Sequence, residues 1–192
     1  AYADVITYEY RGTADSAATP GALQDLYVVW SATIDLDTPA TPISGELNQY
    51  RGAVLSGYFQ VGTLRWDIAA MPNTNVVTAR ITDTFNQYQI SFSPEDLAQG
   101  GYSLPGIVTV NIFDRDVPAD TVVSTDILQP LETLSTPSKG GGPDSISVSM
   151  GIFTGTVFTS IGSGDGGLRV VPTPSVATAL VATALVAVRR RR

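Results

Sequence analysis

The chain predicts an all-β fold, an antiparallel β-sandwich of jelly-roll or immunoglobulin-like topology, followed by a linker and a short C-terminal transmembrane helix. Three observations predict it. Short runs alternate apolar and polar residues with a period of two, the strand signature, and almost none repeats at helical spacing. Turn-forming residues separate the runs, among them 18 glycines and 12 prolines. The chain is 192 residues long and 43% hydrophobic, sufficient for one domain with a real core.

Residues 4–160 are expected to form the sandwich, from about eight to ten short strands. In the first, at Asp4–Arg11, Val5, Thr7 and Glu9 share one face and Ile6, Tyr8 and Tyr10 the other, with Gly12 ending the pattern. "TADSAATPGA" reads as a loop and "DLYVVWSATIDL" as a long strand. The prolines of "DTPATPISG" argue against regular pairing there. "GAVLSGYFQVG" and "TLRWDIAAM" read as a hairpin around Gly62, with Gly57 marking a bulge. "NVVTARITDT" and "NQYQISFS" give a second hairpin, turning near Phe85 and Asn86; its first strand puts Val77, Ala79 and Ile81 on the apolar face. "PEDLAQGG" has a proline start, acids in its first turn and a glycine stop, which predicts a short helical turn. "IVTVNIF" is a strand, and "STDILQPLETL" is compatible with a short helix cut at Pro130. "SISVSMGIFTGTVFTS" is one long bent strand or two short ones, and residues 161–170 read as a flexible Gly/Ser linker.

Composition removes whole classes of chemistry. The chain has no cysteine and no histidine, so disulfides, thiolates and the commonest general base and metal ligand are excluded. Four of its 11 basic residues are the terminal arginines; the other seven, against 18 acids, leave the body at −11 and the tail at +4. An acidic body repels phosphate backbones, so nucleic acid is not an expected partner. At the other end, Ala1-Tyr2-Ala3 has the small-x-small form of a signal-peptidase site, so residues 1–3 read as a remnant of one.

The candidate ligand residues are aromatic and acidic. Trp66, flanked by Arg65 and Asp67, is the better sugar-stacking candidate with Tyr58, whereas Trp30 in its apolar strand reads as core; for all of these aromatics core and cross-strand packing is the favoured reading. "FDRDVPAD" sets Asp114, Asp116 and Asp120 at a spacing that suits a Ca²⁺ ion, and "IDLDT" offers Asp35 and Asp37. The competing role for such aspartates is backbone capping in turns. Apart from this possible calcium no cofactor is expected. Glycoside hydrolysis would require two opposed carboxylates, and none of the four glutamates, Glu9, Glu46, Glu95 and Glu132, sits in a recognisable motif. No nucleophile elbow, phosphate-binding loop or dinucleotide fingerprint is present, so the protein reads as non-enzymatic.

The last 22 residues, 171–192, differ in kind. Val171-Pro172-Thr173-Pro174 precedes Ser175–Val188, a run without charge, glycine or proline, and Arg189, Arg190, Arg191 and Arg192 end it. A helix from Pro174 reaches about 22 Å at ~1.5 Å per residue, short of a ~30 Å hydrocarbon core, and snorkelling arginines with local thinning close the gap. Its valines and leucines contribute roughly −2 to −4 kcal/mol toward insertion, and the arginines hold that end on the cytoplasmic side.

This stretch resembles the PEP-CTERM protein-sorting signal of Gram-negative and related bacteria, with Thr173 where that family usually carries glutamate. The resemblance implies export through the Sec translocon, transient anchoring in the inner membrane and processing near the motif by the membrane protease exosortase. The protein would then reach the cell surface or the extracellular matrix, with exopolysaccharide a possible partner. By this resemblance Val171, Pro172, Thr173 and Pro174 are the recognition residues and Arg189–Arg192 the membrane stop. The alternatives are an exported carbohydrate-binding module and, further off, a secreted carboxylate-dependent hydrolase.

Overall fold

Alternating runs become strands only when each finds a partner, and here they pair into two antiparallel sheets. The computed structural model describes residues 4–14, 23, 25–69, 74–95, 98–99, 102–103, 107–114, 122–129, 144–154 and 157–171. Among them are thirteen strands and no α-helix: β1 (Val5–Ala14), β2 (Tyr27–Asp35), β3 (Thr41–Ser44), β4 (Leu47–Arg51), β5 (Val54–Val61), β6 (Leu64–Asp67), β7 (Val76–Arg80), β8 (Asn86–Phe92), β9 (Ala98–Gln99), β10 (Tyr102–Ser103), β11 (Val108–Asp114), β12 (Asp144–Thr154) and β13 (Val157–Val171). Sheet A runs β13-β1-β2-β5-β6 and sheet B runs β3-β4-β7-β8-β11-β12-β13, with β10 on β12 and β9 on β10.

β13 belongs to both sheets. Its Val157–Gly162 part pairs with β12, and its Ser163–Val171 part pairs with β1. The crossing falls in Gly162-Ser163-Gly164-Asp165-Gly166-Gly167, where the register with β1 shifts between Gly12 and Ala14. Strands turn a corner between sheets through such bulges, and glycine lowers the steric cost of the bend. The expected linker at residues 161–170 is therefore strand. Composition suggested flexibility, but a partner from the opposite end of the chain supplies the ladder, and Leu168 is buried in the core.

Other differences have similar causes. β3 forms in the proline-rich stretch because it is the outermost strand of sheet B, where Pro42 needs no ladder donor on its free side. The expected helical turn after Pro94 gives way to the two-residue strand β9, which pairs with β10. The bulge expected at Gly57 sits at Leu55, skipped where Thr33 pairs with Ser56 and Ile34 with Val54. Gly57 serves close approach instead: a Cβ there would press into the Ser31 carbonyl oxygen. The Gly62 hairpin forms as expected, with φ of 57° at Gly62.

One hydrophobic cluster takes residues from both sheets. Register aligns Leu168, Tyr10, Trp30, Phe59 and Trp66 in one row across the inner face of sheet A. Trp30 stacks on Phe92 of β8 with centroids 6.5 Å apart, joining the two sheets. Away from β13, Ile68 bridges Pro94, Ala69 N–H donates to Ser93 O at 2.7 Å, and Glu95 N–H donates to Asp67 O at 2.7 Å. These bonds stitch the end of β6 to the segment after β8.

Residues 122–129 lie against inward-facing polar groups of sheet B. Tyr50 Oη donates to Thr125 O at 2.7 Å, Tyr88 Oη to Ile127 O at 2.5 Å, and Asn86 Nδ2 to Val122 O at 2.7 Å. Buried polar groups must be paired, and these pairs account for hydroxyls and amides inside an apolar core. Burial pushes the Tyr88 phenol well above its usual range, with Tyr8 and Tyr50 adding to the shift.

Candidate functional site

The outward-facing residues of sheet B assemble by register into three rows. Arg51, Val76, Ser91 and Thr109 form one, Gln49, Thr78, Gln89 and Asn111 the next, and Leu47, Arg80, Gln87 and Phe113 the third. Each strand alternates, so burying Val77, Ala79, Tyr88, Ile90, Val110 and Ile112 turns these intervening residues toward solvent. In register, Thr109, Asn111 and Phe113 pair with Ser149, Ser147 and Ser145 of β12.

Arg51, Val76, Ser91 and Thr109 of the first row and Gln49, Thr78 and Gln89 of the second line a shallow groove of about 450 Å³, together with Thr74 and Ile107. That is within the range of small-molecule sites, roughly 300–1,000 Å³. Among the described residues its lining carries amides, hydroxyls, two aliphatic side chains and one arginine, but no carboxylate. Asn111 Oδ1 accepts from Gln87 Nε2 at 2.9 Å and from Gln89 Nε2 at 3.0 Å, which fixes both glutamines. Ser91 and Thr109 hydroxyls meet at 3.3 Å. Arg51 makes one long bond, to Gln49 Oε1 at 3.4 Å, and Arg80 lies 5.9 Å from the Phe85 ring. Among the described residues neither arginine pairs with a carboxylate.

Sheet A presents a different outer face. Glu9 Oε1 accepts from Arg11 Nε at 2.5 Å and from Arg169 Nη2 at 2.5 Å, tying β1 to β13 across 160 residues of sequence. Burial alone would raise the Glu9 carboxyl; the hydrogen bonds and charges of Arg11 and Arg169 together outweigh it and hold the group below its ordinary value. Arg65 donates to Asp67 at 2.7 Å and lies 3.8 Å over the Tyr58 ring.

The aromatic candidates resolve accordingly. Trp66 is fully buried and packs on Phe59 at 6.1 Å, so it offers no face to a sugar. Position in the strand decided this: Arg65 and Asp67 point outward and Trp66, between them, points in. One face of Tyr58 is covered by Arg65. Of the acidic candidates, Asp114 and Asp35 make backbone hydrogen bonds. Asp114 is buried, its Oδ2 accepts from Val122 N–H at 2.9 Å, and the described residues hold no acidic cluster that could bind a metal. Asp116 and Asp120 lie outside the described residues. Asp35 Oδ1 accepts from Asp37 N–H at 3.0 Å, a turn-capping bond.

Of the sorting motif, Val171 is the last residue of β13 and pairs with Thr7. Pro172, Thr173, Pro174, the apolar run and Arg189–Arg192 lie outside the described residues, within which no helix is long and apolar enough to cross a membrane. The groove residues were not singled out from sequence. Their signal is present as uncharged polar residues at alternate positions in β7, β8 and β11, but strand adjacency is not written in any one segment. No protein-family model matches the chain, and no curated protein or solved structure is significantly similar to it.

Proposed function

We propose that the protein is an exported, non-enzymatic surface or extracellular-matrix protein, a β-sandwich body delivered by a C-terminal sorting signal that exosortase processes. The carrying observation is the coincidence, within 22 residues, of Val171-Pro172-Thr173-Pro174, an uncharged apolar run and four terminal arginines. Two sheets that share one core, joined by β13 and by the Ile68–Pro94 bridge, favour the sandwich. β13 leads into the motif: Leu168 and Val170 pack into the core, and Val171 holds the last register position. A protease would accordingly read from Pro172 outward, or wait for the end of β13 to fray.

Fractionation of cells expressing Pro172→Ala/Pro174→Ala, followed with an antiserum against the body, tests the reading. Hydrophobicity is almost unchanged, so anchoring survives, but the rigid extended approach to the helix is lost. The expected result is an uncut precursor retained in the membrane. Replacing Arg189–Arg192 by glutamine should instead give mislocalised or prematurely released protein. Processing of the proline variant like the parent would overturn the sorting reading.

A further inference from the structure

We propose that the outer face of sheet B binds an uncharged polysaccharide chain, laid across β4, β7, β8 and β11. The choice of an extracellular polymer rests on the export reading, but the groove stands on its own geometry. Four strands at ~4.8 Å spacing make it about 14 Å long, and rows two residues apart make it about 7 Å wide. That shape suits a few consecutive rings of a chain better than a single small molecule.

The lining matches the chemistry of sugar hydroxyls, which both donate and accept. Gln89 gives one Nε2 hydrogen to Asn111 beside the groove, which leaves the Gln89 carbonyl oxygen in the lining as an acceptor without a partner among the described residues, with the Asn111 amide N–H next to it as a donor. Arg51 contributes guanidinium donors that no carboxylate among the described residues occupies, and Thr78 adds a hydroxyl. Val76 and Ile107 supply apolar surface for the C–H faces of a ring. The amides are held before any ligand arrives, so binding orders few side chains.

Charge decides between neutral and anionic polymers. The body carries −11, which opposes a polyanion at long range, while a neutral chain meets no such field. Binding should therefore be nearly independent of salt.

The test is affinity electrophoresis of the purified full chain, in mild detergent, through gels containing dextran, galactomannan, soluble β-glucan or polygalacturonate. At least one neutral polymer should retard it equally at low and high salt. Gln89→Ala and Arg51→Gln should each weaken retardation about five- to tenfold with the melting curve unchanged, and Arg65→Gln on sheet A should not. The proposal is overturned if no neutral polymer retards the protein. It is equally overturned if both groove variants bind like the parent, or if only polygalacturonate binds and salt abolishes it. Since purified protein needs no export, failure here is distinct from failure of the sorting reading.

Discussion

The two outer faces of this molecule are built on the same pleat but spend their charges differently. On sheet A, Arg11, Arg169 and Arg65 are matched by Glu9 and Asp67, so the face satisfies itself and ties β1 to β13. On sheet B, Arg51 and Arg80 pair with no carboxylate among the described residues and stand beside ordered amides and hydroxyls. A face whose polar groups are mutually satisfied serves stability; one that keeps donors and acceptors available serves recognition. Aromatic residues would have suggested the reverse, since Trp66 and Tyr58 lie on sheet A, but one is core and the other is covered.

The largest effect expected on this comparison comes from Trp66. Trp66→Ala should lower unfolding free energy by about 3–5 kcal/mol in a urea titration, as for other large buried aromatics. Trp66→Phe should lose less than the alanine variant, because it keeps one aromatic ring in the site and removes an indole N–H that has no hydrogen-bond partner among the described residues. An alanine variant as stable as the parent would return Trp66 to the surface and erase the contrast.

Next comes the Glu9 clasp. Glu9→Gln should cost about 1–2 kcal/mol near neutral pH, a figure kept modest because both arginines are about half exposed. Its pH dependence has a definite sign. The folded carboxyl titrates below its unfolded value of about 4.3, so its stabilisation is complete above that pH and lost as pH falls through the lower folded value. Melts of parent and variant should converge in acid; a constant gap from neutral to acid would show that the clasp does not depend on Glu9 ionisation.

The smallest effect sharpens the contrast from sheet B. Arg51→Gln and Arg80→Gln should each change stability by no more than about 0.5 kcal/mol, because neither removes an ion pair. A loss of more than 1 kcal/mol from either, by the same titration, would mean that sheet B also uses its cations structurally.

Much of the fold was legible because alternation is a local property. The faces of β1 and β7 follow from residue parity, and the buried sets Tyr8 with Tyr10 and Val77 with Ala79 match it. The Gly62 hairpin was legible because a tight turn demands φ > 0. The groove was not: Arg51, Thr78, Gln89 and Thr109 come from four strands, and each is unremarkable in its own segment. Trp66 follows the packing reading that its residue type favours and not the ligand role its charged neighbours offered, because in a strand neighbours on either side face the opposite way.

Sequence by itself determined that the described body is all-β, that runs such as β1, β2, β5, β7, β8 and β11 are strands, where the Gly62 hairpin turns and that the chain carries no histidine or cysteine. It also carried the proposed sorting signal, whose proline motif, apolar run and arginines are contiguous in sequence. Tertiary structure alone decided that residues 161–170 are strand, since β1 from the far end of the chain supplies the ladder. It decided that Pro42 lies in an edge strand, that Asp114 caps a loop and that polar residues of four strands share a groove. The physical reason is common to all of these. Period and turn chemistry act between neighbours in sequence, but a ladder, a burial or a groove requires partners that only the packing of distant strands brings together.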